Sequence, residues 1–140
     1  MTSPPGALQA GTELPPASFT VTRGDLVRYA GASGDFNEIH WSDRTAREAG
    51  LPGVVAHGMY LMARAGTLLA AWVGDPTALR EYTVRFARPV VVPDTGQGAR
   101  IEVTGKLTKL LDERSGQVEL TVTHEGRKVL GRATAIIYLP

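Results

Sequence analysis

The run from Met59 to Val73, MYLMARAGTLLAAWV, constrains this chain more than any other stretch. Only Arg64 and Thr67 interrupt its apolar residues. A surface helix carries one apolar stripe, whereas a helix that is apolar nearly all the way round is buried on most of its sides. Its most apolar window, Ala65 to Val73, falls short of the ~20 residues that a bilayer span needs, so the cover has to be protein. Gly74-Asp75-Pro76 ends the helix, and everything after it has strand periodicity. Tyr82, Val84 and Phe86 alternate with polar neighbours, as do Ile101 with Val103, and Val118, Leu120 and Val122. The run from Val129 to Leu139 reads as a final, largely buried strand. PDTGQG, DERSGQ and HEGR between these segments are turn chemistry. One apolar helix in a mainly antiparallel β domain fits a strongly curved sheet wrapped around it. It also fits a generic α+β sandwich, and pattern alone leaves both open.

Ahead of that helix, Ala17 to Thr22 has strand composition. TRGDLVRYAGASG reads as a short helix with Thr22 as N-cap and Gly31 and Gly34 as stops. Ser33 to Ala56 holds no sustained period beyond a helical turn around SDRTAREAG, capped by Ser42 or Asp43 and closed by Gly50. Residues 1–16, MTSPPGALQAGTELPP, lack a basic start followed by an apolar run, so they do not read as a signal peptide. They are expected to form a flexible arm, with a single domain over residues 17–140. The net charge of +1 with scattered signs offers no basic stripe, which argues against nucleic acid. The chain has no cysteine, so disulfides, thiolate zinc sites and thiol catalysis are excluded. The expected setting is soluble and cytoplasmic, with no membrane association.

The chemistry concentrates in ASGDFNEIHWSD, Ala32 to Asp43, which holds one of only three histidines. Residues five apart point roughly 140° away from each other on a helix and to opposite faces on a strand. Asp35 and His40 therefore converge only if the segment between them is irregular, which Gly34 and Asn37 allow. A converged pair suits acid–base work, because imidazole and carboxylate can hold a water between them and move its protons. The alternative is that Asp35 and Asn37 make Asx turns and His40 is a half-buried loop residue. A second feature is GVVAHGMY, Gly53 to Tyr60. His57 and Gly58 stand where a helix usually has a Ser, Thr, Asp or Asn cap. Uncapped N–H groups there attract negative charge and would serve as an oxyanion hole. Water or a preceding carbonyl capping the helix is the other reading. Asp35, His40 and His57 could formally ligate a metal, but no compact ligand motif supports that, and none is expected. His124 reads as a surface residue, and Trp41, Tyr60 and Trp72 as core or pocket wall. Arg64 needs a carboxylate, a partner chain or solvent.

Together, YAGASGDFNEIHWSDRTAREAG and GVVAHGM resemble the (R)-specific enoyl hydratases of the MaoC-like hot-dog fold. Tyr29, Gly34, Asp35, Asn37, Ile39 and His40 match the family's hydratase motif. With AWVGDP, EYTVRF and GRATA, the chain looks closer still to the B subunit of actinobacterial (3R)-hydroxyacyl-ACP dehydratases. The resemblance covers Phe19 to the C-terminus. It implies an α+β hot dog, a curved antiparallel sheet around the helix from Gly58 to about Val73. It also implies a homodimer, or a heterodimer with a second hot-dog subunit. The implied activity is a hydro-lyase acting on acyl-CoA or acyl-ACP, with acyl carrier protein as a possible partner and no cofactor. By carry-over, Asp35 and His40 form the catalytic dyad. Gly58 polarises the thioester carbonyl, Asn37 shapes the loop, and His57 belongs with the oxyanion and substrate-binding group. The chain departs from the pattern at Glu38, where the family has proline, and at Gly66, where some members have serine. A hot-dog thioesterase, by analogy of fold, and a silent acyl-binding subunit of a heterodimer are the alternatives.

Overall fold

A computed structural model describes residues 8–140. The elements run β1 (Glu13–Val21), α1 (Arg23–Ser33), a 3-10 turn (Glu38–His40), α2 (Asp43–Glu48), α3 (Gly58–Val73), β2 (Leu79–Phe86), β3 (Ala99–Leu110), β4 (Ser115–His124) and β5 (Arg127–Tyr138). The strands form one antiparallel sheet in the order β1-β3-β4-β5-β2. This is the curved sheet around one long helix, not a two-layer sandwich.

Residues 1–7 of the expected arm lie outside the described residues. The rest of it corrects the boundary, because β1 starts at Glu13 and already pairs Glu13 with Lys106 and Leu14 with Gly105. Pro15 and Pro16 hid this. Proline cannot donate to a ladder and so argues against a strand, but β1 is an edge strand, where the missing N–H costs nothing. The register slips between Leu14 and Ala17, across the two prolines.

The helix α1 begins where its cap chemistry places it. Thr22 accepts from the Asp25 N–H, and the Asp25 carboxylate accepts from the Thr22 N–H, a reciprocal capping box. Gly31 does not stop it; Gly34 does, in the left-handed region at φ 77°. Ser42 is the cap of α2.

Against the sheet, α3 buries Leu61, Ala65, Leu69 and Trp72 on Ile101, Leu107, Val118, Leu130 and Ile137, all at most 2% exposed. The opposite stripe, Met59, Ala63, Thr67 and Ala71, stays exposed, so a single chain covers only part of this apolar helix. Arg64 settles without a carboxylate among the described residues. Its Nη1 donates to the Tyr60 hydroxyl (2.7 Å), and its guanidinium lies 4.6 Å from the Phe19 ring centre. Trp72 is core, but Trp41 is 49% exposed, with its indole N–H donating to the Phe36 carbonyl. His124 is half-buried at the sheet's end, its Nδ1 hydrogen-bonded to the Arg100 carbonyl.

Candidate functional site

The two unusual stretches of sequence meet through Val55. The Val54–Ala56 segment is tied to Val90–Val92, with Ala56 N–H donating to the Val90 carbonyl and Val92 N–H to the Val54 carbonyl, both at 2.9 Å. On its other side, Val55 N–H donates to the Ile39 carbonyl, and the Val55 carbonyl accepts from His40 Nδ1 at 2.7 Å. Asp43 reinforces the junction. It accepts from the Val54 N–H (2.9 Å) and from Arg23 Nη2 (2.9 and 3.1 Å). These bonds, the Val54 amide first, hold the Asp43 carboxyl below its ordinary range. Gly53 leaves this junction uncrowded, since a Cβ there would sit 3.1 Å from Asp43 Oδ1.

The loop between α1 and the 3-10 turn is built from the turn formers in the sequence. Gly34 swings the chain out of α1. Asp35 Oδ1 then accepts from the Asn37 N–H (3.2 Å), and Asn37 Oδ1 accepts from the Ile39 N–H (3.2 Å). The Asx turns and the converged pair, set against each other in the sequence, therefore coexist. Asp35 makes its turn with one carboxylate oxygen and leaves Oδ2 3.7 Å from His40 Nε2. Glu38 occupies the first position of the 3-10 turn with its side chain exposed.

The hydrogen bonds set the tautomers. His40 Nδ1 faces a carbonyl and so carries the proton, which leaves the Nε2 lone pair towards Asp35. At 3.7 Å the two groups do not bond directly. Two acceptors at that separation leave room for a water that gives one proton to each. His40 is buried and Asp35 half-exposed, so the pair is fixed on one side and open on the other.

His57 stands behind the pair, only 2% exposed. Its Nε2–H donates to the Asp35 carbonyl (3.2 Å), its ring stacks on His40 (centroids 3.7 Å apart, planes 20° off parallel), and Tyr29 meets it edge-on at 4.8 Å. Burial above all holds its pKa below the ordinary value of 6.5, and His40 acts in the same direction. Its Nδ1 is buried with no hydrogen-bond partner among the described residues. Candidate ligand atoms of Asp35, His40 and His57 lie within 4.8 Å of one another. Near-parallel rings at this spacing, however, hold their lone pairs in separate planes, and a zinc-type ion needs in-plane nitrogens at ~2.0–2.1 Å from a common point. Stacked as they are, the rings do not make a metal site.

His57 is also the N-cap of α3, and no side chain caps that helix. The first backbone bonds are from the Tyr60 and Leu61 N–H groups to the His57 carbonyl, so the Gly58 and Met59 amides are left free of helical partners. A Cβ on Gly58 would lie 2.9 Å from the Phe86 ring. The same glycine and ring border a cleft of about 280 Å³ whose walls include Ala56, Leu61, Val90 and Leu130. Phe86, read as a strand residue, thus also belongs to the site, as do Arg23 and Asp43, whose partnership across twenty positions left no signal in local spacing.

Comparison with known proteins adds the family. The family model described as MaoC like domain matches residues 8–126. Over 89 residues, 62% of this chain, the sequence is 40% identical to 3-hydroxyacyl-thioester dehydratase X of Mycobacterium tuberculosis, but it covers only 31% of that protein. A solved structure of a MaoC-like dehydratase superposes with a TM-score of 0.90 at 42% identity, covering 95% of this chain and 41% of the other. An (R)-hydratase from A. caviae involved in PHA biosynthesis shares the fold, with a TM-score of 0.83, 20% identity, and 96% and 98% of the two chains covered. The chain therefore spans less than half the length of the first two relatives. Its five-stranded sheet wrapped around α3 is the hot-dog fold, and the chain belongs to the MaoC-like domain family.

Proposed function

We propose that this chain catalyses the reversible hydration of trans-2-enoyl thioesters to (R)-3-hydroxyacyl thioesters, with acyl-CoA or acyl-ACP as substrate. The observation that carries the reading is the juxtaposition of two proton-accepting atoms, Asp35 Oδ2 and His40 Nε2, beside the uncapped start of α3. The dehydratase and hydratase names of the relatives support it. In the hydration direction, Asp35 and His40 hold the water. One of them takes its proton as the oxygen adds to Cβ, and the dyad returns a proton to Cα. Electron density passes through Cα to the thioester oxygen, where the free Gly58 N–H at the positive end of α3 stabilises the enolate. Dehydration runs the same steps backwards. Asn37 keeps the loop in shape, and the apolar cleft beside Gly58 receives the acyl chain. The chemistry needs no redox or metal cofactor, because the thioester makes the α-proton acidic once its enolate is stabilised.

The exposed stripe of α3 and the outer edge of β2, paired on one side only, favour a second hot-dog fold as partner, from another copy or from a related subunit. The test is hydration of a short trans-2-enoyl-CoA, followed as loss of the conjugated-thioester absorbance, with the chirality of the product determined. The expected product is (R)-3-hydroxyacyl-CoA, and Asp35→Asn or His40→Ala lowers turnover by about 100-fold or more while the chain stays folded. A folded Asp35→Asn that keeps most of the activity would sink the assignment. Release of free thiol would make the chain a thioesterase instead.

A further inference from the structure

His57 is placed too deep to meet a substrate, yet it touches both members of the dyad. Its Nε2–H holds the backbone carbonyl of Asp35, its face covers the His40 ring, and Tyr29 wedges it from α1. No other side chain among the described residues contacts Asp35 and His40 in this way. A helix start would ordinarily carry a small polar cap, and a buried position would ordinarily carry an apolar side chain. His57 meets neither need, since it makes no capping bond and leaves Nδ1 buried without a donor. A buried polar atom without a partner is costly, so stability does not account for a histidine at this position.

We propose that His57 is a positioning residue, an imidazole that clamps the Asp35 loop through its Nε2–H and seats the His40 ring by stacking. The Nε2–H tautomer is the only one that satisfies the Asp35 carbonyl. Protonation at Nδ1 would bury an N–H with no acceptor among the described residues. The groups facing His57 are Asp35 from the loop, His40 from the 3-10 turn and Tyr29 from α1, and Asp35 is the one acid among them. The clamp rests on the hydratase reading only for what it positions, so its test has a part independent of turnover.

With just three histidines, nitrogen-15 NMR of the full-length chain resolves each ring. The expected spectrum shows His57 neutral and protonated at Nε2 at neutral pH. The Asp35 to Asn37 amides, sharp in the native chain, broaden in His57→Ala and sharpen again in His57→Gln, whose amide restores a donor to the Asp35 carbonyl. In the hydration assay His57→Ala lowers kcat about 100-fold with KM within about threefold, because a displaced dyad loses transition-state contacts rather than binding. His57→Gln recovers roughly tenfold, the worth of one hydrogen bond. An imidazolium or an Nδ1–H tautomer at neutral pH overturns the clamp, as does a KM that rises while kcat holds, which would make His57 a substrate contact. A native chain that shows no hydration at all counts against the hydratase reading. The ring's tautomer and the loop amides still decide the clamp.

Discussion

At His57 and Asp43 the same local forces shape the site and set how the fold responds to acid, in separate windows. Burial lowers the His57 pKa below 6.5, so between 6.5 and its folded value the unfolded chain binds more protons than the native one. Stability therefore falls as pH drops below about 6.5, and the slope should flatten in His57→Gln, measured by urea unfolding at several pH values. The main cause is burial, because a charged ring only 2% exposed loses its hydration with little to replace it. Asp43 acts lower on the scale. Its folded pKa lies below 3.8, so the Arg23 and Val54 bonds contribute fully above about pH 4 and are lost only as pH falls through the folded value. Asp43→Asn should remove that lower limb alone. Glu38 gives a further prediction. Asn37, at φ −56° and ψ 126°, already has the backbone that precedes a proline, and the first position of a helical turn needs no N–H. Glu38→Pro should leave turnover unchanged and raise the melting temperature. A fall in either would mean that the carboxylate has a partner. The sequence made Asp35, Asn37, His40 and Gly58 legible because each leaves a local mark, a turn former or a missing cap. Arg23, Asp43 and the Val55 carbonyl left none, since long-range pairs and backbone atoms carry no pattern along the chain.

The helix α3 is written plainly in the sequence because its composition alone demands cover, and the strands that cover it announce themselves by alternation. What escaped was the near end of β1, where two prolines mask an edge strand, and the face of α3 that meets β2. Gly66 shows how much that face decides. The alignment that resemblance suggests would have a serine there, but a Cβ on Gly66 would lie 2.9 Å from the Tyr82 ring. Tyr82 comes across from β2, donates its hydroxyl to the Met62 carbonyl at 2.8 Å, and is buried enough for its pKa to rise to about 12. The tyrosine thus occupies the space that a helix side chain would use, and its hydroxyl is committed to the helix backbone. Gly66→Ser should destabilise the chain by about 1–3 kcal/mol, because an extra group in a packed contact forces side chains off their rotamers. Adding Tyr82→Leu should return much of that loss. Chemical denaturation of the two variants checks this. A Gly66→Ser chain as stable as the native one would mean that the β2–α3 contact is loose enough to yield.

At the scale of the whole molecule, the open surfaces lie on elements that also carry the site. The stripe Met59, Ala63, Thr67 and Ala71 runs along α3 from the helix start that holds Gly58. Phe86, 53% exposed, ends the edge strand β2 and packs on that same glycine. Phe36, 63% exposed, lies within the Asp35–His40 segment, and Trp41, 49% exposed, directly follows it. Exposed strand edges and contiguous apolar surface are what single soluble chains avoid, and their concentration around one site points to cover by another chain. No helix among the described residues is long and apolar enough to cross a membrane, so α3 itself is not a span that would explain its open stripe. The expectation is a species of twice the 14.9 kDa chain mass in sedimentation equilibrium. A charge at the middle of the stripe, Ala63→Glu, should shift it to the monomer and lower hydration in step, because the uncovered aromatic residues then leave the site open to water. A monomer with full activity would separate the site from its cover. A monomer that becomes active only when mixed with a second hot-dog chain would show instead that the missing cover is a different subunit. In that case Ala63→Glu should block the mixing as well, since one stripe cannot serve either partner with a charge at its centre.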